Sequence, residues 1–385
     1  MTIQSIITEI LLYFFLSISA FYIFLLVAYN VAWFRSKTWS AIRKQPSTRV
    51  SVIVPARNES ENIIKCLEGM SSQDYPAVLF EIIVADDSST DNTVLLVNDF
   101  IQKHSLKNIR LIELSNSKIS HKKQAITEAI RVSEGDLIVT TDADCIVSPR
   151  WVSTIVEYYE TFEPVIMVGL VRFYDEKTIF QKLQSLEFLS LIVSGITSIK
   201  LGFPIICNGA NLAYSKKAFD EVGGYESNQK YASGDDVFLL HKMKKKFPHR
   251  ITFIKNYEAL VKTKPQKSLL DFISQRRRWI SKSSGYQDPG IIITALIIYL
   301  FNLSILVSGI LSIFNPVYFQ MFLFALLTKL FIDFPLLAGI SCFVKKKNLL
   351  LYYLPLQLVY ILYVIIIGIT GNIGSYTWKG RKCNR

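Results

Sequence analysis

Several marks of large protein classes are missing from this chain. Its five cysteines show no paired metal-ligand spacing, and His121 has no partner at such a spacing. A zinc site built on Cys and His is therefore excluded. No internal repeat and no low-complexity linker interrupts the chain. No nucleic-acid module accompanies the net charge of +12, so no nucleic-acid partner is expected. The apolar start lacks a basic leader and a small-residue cleavage site, and it is too long for a cleaved signal. It reads as a retained anchor. Cys66, Cys145 and Cys207 fall in the polar middle of the chain and are expected to be free thiols in a reducing cytoplasm.

Long apolar runs are abundant. Half of the 385 residues are hydrophobic, and the mean hydropathy of +0.30 is too high for an ordinary soluble enzyme. The apolar residues are segregated into Ile6 to Phe34, Ile291 to Phe314, Val317 to Val344 and Leu349 to Ile373. Each run is long enough to cross about 30 Å of hydrocarbon as a helix. Three regions follow: an anchor over 1–34, a cytoplasmic domain over 35–288, and a C-terminal membrane region with a basic tail over 289–385.

Basic residues set the orientation. Arg35, Lys37, Arg43, Lys44 and Arg49 follow the first run with no acid among them. Arg276, Arg277, Arg278 and Lys282 precede the second run, and Lys345, Lys346 and Lys347 follow the third. The positive-inside rule places all of these in the cytoplasm, as in a multi-pass protein of a bacterial inner membrane. It also sets up a conflict. Three C-terminal crossings would put Lys379, Arg381, Lys382 and Arg385 outside. Either one run does not cross, or the tail disobeys. Most of the positive charge is juxtamembrane, which fits attraction to anionic lipid headgroups. Within the third run, Lys329 and Asp333 lie four apart, and the cost of a lone charge in hydrocarbon predicts that they pair.

The polar middle alternates β-branched runs with helical patterns. Strands are expected at Val50 to Val54, Phe80 to Ala85, Ile109 to Leu114 and Leu137 to Thr141. Helices are expected at Ser60 to Met70, Asn92 to His104 and Lys122 to Ser133. This alternation predicts an α/β fold with a mainly parallel sheet. Ligands of such sheets bind beyond the C-terminal strand ends. Three polar clusters sit there: Pro55-Ala56-Arg57-Asn58-Glu59, Asp86-Asp87-Ser88-Ser89-Thr90-Asp91 and Asp142-Ala143-Asp144.

Each cluster has a chemical and a structural reading. Asp142 and Asp144 suit Mg²⁺ or Mn²⁺, or else form a loop capping the next helix. Asp86 and Asp87 can accept from a base or a ribose hydroxyl, while Asp91 and Glu59 can cap helices. Lys122 and Lys123 can reach a diphosphate or form a solvated face. Gly234-Asp235-Asp236 opens an apolar helix, as a general base or as a helix start with acids favoured by the dipole. Asn208-Gly209-Ala210-Asn211 is a tight turn whose amides suit sugar hydroxyls. Gln275-Arg276-Arg277-Arg278-Trp279, just before the second apolar run, suits a diphosphate and a sugar ring, or an interfacial helix touching headgroups.

In this order the motifs resemble the inverting family 2 glycosyltransferases of the GT-A fold. Pro55 to Glu59 looks like their P-A-Y-N-E, Ala85 to Asp91 like V-D-D-G-S-T-D, and Asp142 to Asp144 like D-x-D. Gly234-Asp235-Asp236 stands in the place of their T-E-D or G-E-D, and Gln275 to Trp279 matches Q-x-x-R-W. The last motif is similar to that of the membrane-embedded branch, which includes cellulose and hyaluronan synthases and ceramide glucosyltransferase. The resemblance spans roughly Arg49 to Trp279. It implies a nucleotide-sugar donor, with UDP as the nucleotide, and a lipid or saccharide acceptor. Pro55, Ala56, Arg57, Glu59, Asp86, Asp87, Lys122, Gln275 and Arg278 would bind the donor, and Asp142 and Asp144 the metal. Asp236, beside Asp235, would be the base. Trp279, Asn208 and Gly209 would meet the acceptor. Arg57 and Asp235 depart from the family pattern at an aromatic and at a Glu. Four apolar runs are few for a polymer channel, which an oligomer could supply. A processive synthase and a silent sugar-nucleotide-binding subunit are the competing readings.

Overall fold

The computed structural model describes residues 3–40, 45–114, 121–226, 234–282, 285–371, 376–378 and 381–383. Helix α1 (Ile3–Arg35) precedes a seven-stranded sheet of β1 (Val50–Ala56), β2 (Phe80–Asp86), β3 (Ile109–Glu113), β4 (Leu137–Thr140), β5 (Ile166–Val168), β7 (Leu212–Ser215) and β8 (Ile251–Phe253). Its order is β3-β2-β1-β4-β7-β5-β8. Strand β1 pairs in parallel with β2 and β4, as Val52↔Ile82 and Val52↔Val139. The Val, Ile and Leu that dominate β1, β2 and β4 are buried on both faces, as parallel sheets require. Helices α2 (Ile63–Ser71), α3 (Thr93–His104), α4 (His121–Val132) and α5 (Trp151–Phe162) cover them. All four expected strands form, and each expected helix forms within three residues of its expected ends.

Strand β7 runs antiparallel to β4, with Leu212 opposite Thr140. Reversal brings the turn before β7 to the C-terminal end of β4, where the Thr140 hydroxyl donates to the Gly209 carbonyl at 2.9 Å. This is why Asn208 and Gly209 share an edge with the D-x-D. A smaller parallel pair, β6 (Val171–Phe173) and β9 (Val261–Thr263), flanks the sheet. Helices α6 (Ile179–Lys200), α7 (Lys216–Glu221), α8 (Asp235–Lys246) and α9 (Leu269–Ser281) complete the domain, with α6 and α9 against the apolar helices.

Helices α10 (Pro289–Leu311), α11 (Pro316–Phe343) and α12 (Tyr353–Thr370) end the helical part of the chain. A short hairpin, β10 (Tyr376–Trp378) with β11 (Arg381–Cys383), follows. Four helical segments, Thr8–Arg35, Pro289–Leu311, Pro316–Phe343 and Lys347–Thr370, are long and apolar enough to cross a membrane. Exposed Phe21, Phe24, Phe331, Leu358 and Ile366 leave an apolar outer surface on this bundle. Inside it, the Lys329 ammonium meets Asp333 at 2.8 Å. The Tyr22 hydroxyl donates to the same carboxylate at 2.5 Å, and the Tyr22 ring stacks on Phe301. The expected pair therefore forms, buried and joined to α1. Asp333→Ala is expected to lower the yield of folded membrane protein more than Asp333→Ala with Lys329→Met, because the single change strands a buried cation. Equal yields of monodisperse protein would show that the pair is solvated.

Candidate active site

Elements far apart in sequence close on a cavity of about 1250 Å³. Its polar end is lined by Pro55, Ala56, Arg57, Glu59, Asp87, Lys122, Asp142, Asp144, Asn208, Gly209, Asp235 and Asp236. Gln275, Arg278 and Trp279 line it from α9. Of the residues to which the resemblance assigns a role in donor, metal, base or acceptor binding, Asp86 alone is not in the lining. Its carboxylate accepts from the Ser89 amide at 2.8 Å and the Ser89 hydroxyl at 2.5 Å, which shapes the loop after β2. Asp91 is also structural. It accepts from the amides of Thr93 at 3.0 Å and Ser60 at 3.1 Å, joining two strand-end loops. Against a desolvation that pushes it up, the Thr93 hydroxyl at 2.5 Å and these amides hold its exposed carboxyl at about 2. The Arg57 guanidinium bonds the carbonyls of Asp87 and Ser88, so it sits where the departure from an aromatic fell.

Lys122 bridges two acidic motifs. Its ammonium lies 2.7 Å from Asp142 and 3.5 Å from Asp235. Burial works against its charge, but Asp142 and Asp235 outweigh burial and raise its pKa. The adjacent Lys123 is turned inward against the Phe238 ring, and burial lowers it to about 8. Asp144 is half-buried. Burial, then the charges of Asp142 and Glu59, push its carboxyl up to about 6, while Thr263 donates to it at 3.1 Å. Strand β9, bridged to Ile146, is what places Thr263 there.

Asp235 and Asp236 begin α8. Gly234 before them has φ +85, and a Cβ there would come within 2.7 Å of the Lys282 side chain. Both the left-handed backbone and the close approach require glycine. Asp236 accepts from the amides of Val237 at 2.8 Å and Gly209 at 3.2 Å, and pairs with Lys282 at 3.4 Å. Burial pushes its carboxyl up, but Lys282, Lys122 and the two amides together hold it below the usual carboxylate range. It is thus an anion at neutral pH, sharing the cavity with Asp142 and Asp144.

Lys282 was visible in the sequence only as a juxtamembrane charge. Nothing in its spacing from Asp236, 46 residues away, announced the pair. Arg276 corrects the basic triplet in the other sense. It is buried, with its guanidinium on the Glu187 carboxylate and 2.6 Å from the Gln275 side-chain oxygen. Trp279 packs on that guanidinium at 4.2 Å and lies near Phe188. Asn211 is buried away from the cavity, holding the carbonyls of Leu170 and Ala259. Cys66, Cys145 and Cys207 are free, and burial pushes their thiols up, so they are poor nucleophiles.

Strand-end carboxylates, a mainly parallel sheet and an acidic helix start define an α/β domain of the GT-A type. The fold is shared with the mannosyltransferase PcManGT from Pyrobaculum calidifontis, solved with GDP-Man and Mn²⁺ (TM-score 0.54, 18% identity, 92% of this chain and 97% of that one). Residues 51–223 match the family model Glycosyl transferase family 2, so this chain carries a glycosyl transferase family 2 domain. Among curated relatives is the dolichyl N-acetyl-alpha-D-glucosaminyl phosphate 3-beta-D-2,3-diacetamido-2,3-dideoxy-beta-D-glucuronosyltransferase of Methanococcus voltae. It is 31% identical over 29% of this chain and 34% of its own length. The poly-beta-1,6-N-acetyl-D-glucosamine synthase of Staphylococcus epidermidis is 26% identical over 46% of this chain and 42% of its own. The chain spans about a third to two fifths of the length of these relatives.

Proposed function

We propose that this protein is an inverting glycosyltransferase that moves a sugar from a nucleotide-sugar, with UDP as the nucleotide, to a lipid or lipid-linked acceptor at the cytoplasmic face of a membrane. One observation carries the acceptor class. The cavity with the acidic motifs continues past Trp279 to Ile292, Ala295 and Leu296 on apolar helix α10. Ile292 and Leu296 are about half exposed on that helix. A polar head at the carboxylates and an apolar tail along α10 fit one molecule.

In this reading Arg57, Glu59 and Asp87 hold the nucleoside, and Asp236 takes the acceptor proton during in-line attack. Lys122, Gln275 and Arg278 face the departing diphosphate, where fixed positive charge stabilises the leaving group most. Asp142 and Asp144 would hold Mg²⁺ or Mn²⁺. The fit rests on Asp144, a half-buried carboxyl beside Asp142 and Glu59, where a hard cation relieves the repulsion. Among the described residues no group of three ligating side chains forms, so donor phosphate oxygens would complete the shell. The ion would neutralise diphosphate charge.

Asp144→Ala is expected to abolish the dependence of UDP-sugar binding on Mn²⁺. Calorimetric titration of purified protein with and without the ion checks it. Ion-independent binding by the wild type would remove the metal assignment. Trp279→Ala is expected to impair transfer while sparing hydrolysis of the donor to water, because ring stacking serves the acceptor alone. Proportional loss of both activities, normalised to folded protein, would end that role. The overall reading is tested by supplying radiolabelled nucleotide-sugars to protein in membranes and separating lipid-linked product from polymer. Label in polymer alone would favour a processive synthase. No turnover of any donor would favour a silent subunit.

A further inference from the structure

We infer that the last apolar helix does not cross the membrane: α12 enters and leaves on the side of the catalytic domain. The inference is independent of donor, acceptor and reaction. The ends of the other helices fix the two sides. The carbonyls of Trp33 and Ser36, at the end of α1, accept from Lys255 of the catalytic domain at 3.1 Å and 2.9 Å. Helix α10 starts on that side, with Asp288 paired to Lys244 at 2.6 Å. Helix α11 ends there too, because Gly339 abuts Trp33 and Lys345 lies over the Tyr257 ring. The opposite side is marked by Thr8 bonded to Tyr318, and by Gly309 against Phe322. Helices α1, α10 and α11 therefore run from one side to the other.

Helix α12 does not. The chain reaches it from Lys347, on the catalytic side. The Tyr353 hydroxyl donates to the Leu330 carbonyl at 2.7 Å, and the Lys329 ammonium lies over the Tyr360 ring. Leu330 stands 13 residues before the end of α11, about 20 Å in at 1.5 Å per residue. From there the helix leads toward the catalytic domain. Tyr363 donates to Glu187 of α6 at 3.0 Å and packs on Phe272 of α9. Gly371, at its end, lies against Ile280 of α9, where an added Cβ would come within 2.6 Å. Strand β10 then lies beside α9. The chain thus enters past Lys346, which pairs with Glu176 of the catalytic domain at 2.5 Å, and leaves at Gly371 beside α9, although the composition of α12 alone would allow a span.

Its outer face carries exposed Leu354, Leu358, Leu362, Ile366 and Ile369, which suit the acyl chains of one leaflet. This placement also removes the charge conflict. With three crossings instead of four, the basic tail falls on the same side as Arg35, Arg278 and Lys345, as the positive-inside rule demands.

The test uses the full chain in sealed vesicles of known orientation and an impermeant polyethylene glycol maleimide that shifts mass on labelling. Cys383 reports the tail. Lys217→Cys reports the catalytic domain and Ile313→Cys the loop between α10 and α11, each in a Cys383→Ser background, and all three proteins carry Cys342→Ser because Cys342 is an exposed free thiol. Cys383 and Lys217→Cys are expected to react from one face and Ile313→Cys from the other. Should Cys383 react with Ile313→Cys instead, α12 crosses and the inference fails. Protease trimming of an epitope fused after Arg385 gives the same answer if the thiol is shielded.

Discussion

Asp236→Asn is expected to leave nucleotide-sugar binding nearly intact and to lower sugar transfer about 10²–10⁴-fold, the usual loss when a general base is removed. The amide keeps the shape and can still accept from the Gly209 N–H, so the helix start should hold. What disappears is the anion that Lys282 and Lys122 keep ionised. Because these lysines hold the carboxyl low, the acidic fall of the wild-type rate assigned to this group should lie below the range of an ordinary carboxylate. Initial rates across pH, with donor binding measured in parallel, check both parts. Transfer by the variant at the wild-type rate would make Asp236 a structural residue.

The second large effect is on stability. Glu187→Ala should destabilise the protein by about 3–5 kcal/mol, the usual result of stranding a buried charge. Arg276 and Glu187 are only 3% and 4% exposed at their side chains, so solvent cannot replace the lost carboxylate. Tyr363 loses its acceptor at the same time. Replacing both partners, as Glu187→Ala with Arg276→Met, should recover most of the loss. Denaturant unfolding in detergent, followed by intrinsic fluorescence, measures this. An unchanged midpoint for the single variant would mean that Arg276 reaches headgroups or water, as the alternative reading of the basic triplet held.

The legible parts of the molecule were those with a strong local signal. Strands β1, β2 and β4 are short runs rich in Val and Ile, so their ends, and the acids on them, could be located by counting. The four apolar runs and the Lys329–Asp333 pair were legible for similar reasons, through length and helical spacing. Illegible features depend on contacts between distant elements. Strand β7 is short, and its antiparallel direction rests on pairing with β4 and β5. Thr263 meets Asp144 through a second small sheet. Arg276 and Arg278 are two letters apart in one motif, yet helical geometry turns Arg276 onto Glu187. Helix α12 reads as a span because hydropathy records what a segment dissolves in. It does not record where the segment ends.

The Asp236–Lys282 pair has a consequence for how the two halves of the molecule are registered. Lys282 stands three residues beyond Trp279 on the helix that borders the membrane region, and Asp236 begins a helix of the catalytic domain. The pair works as a gauge between them. Any slide of α9 along the membrane surface that moves Trp279 also stretches the contact that keeps Asp236 ionised. Position of the Trp279 ring and proton affinity of the Asp236 carboxylate are then coupled through one contact.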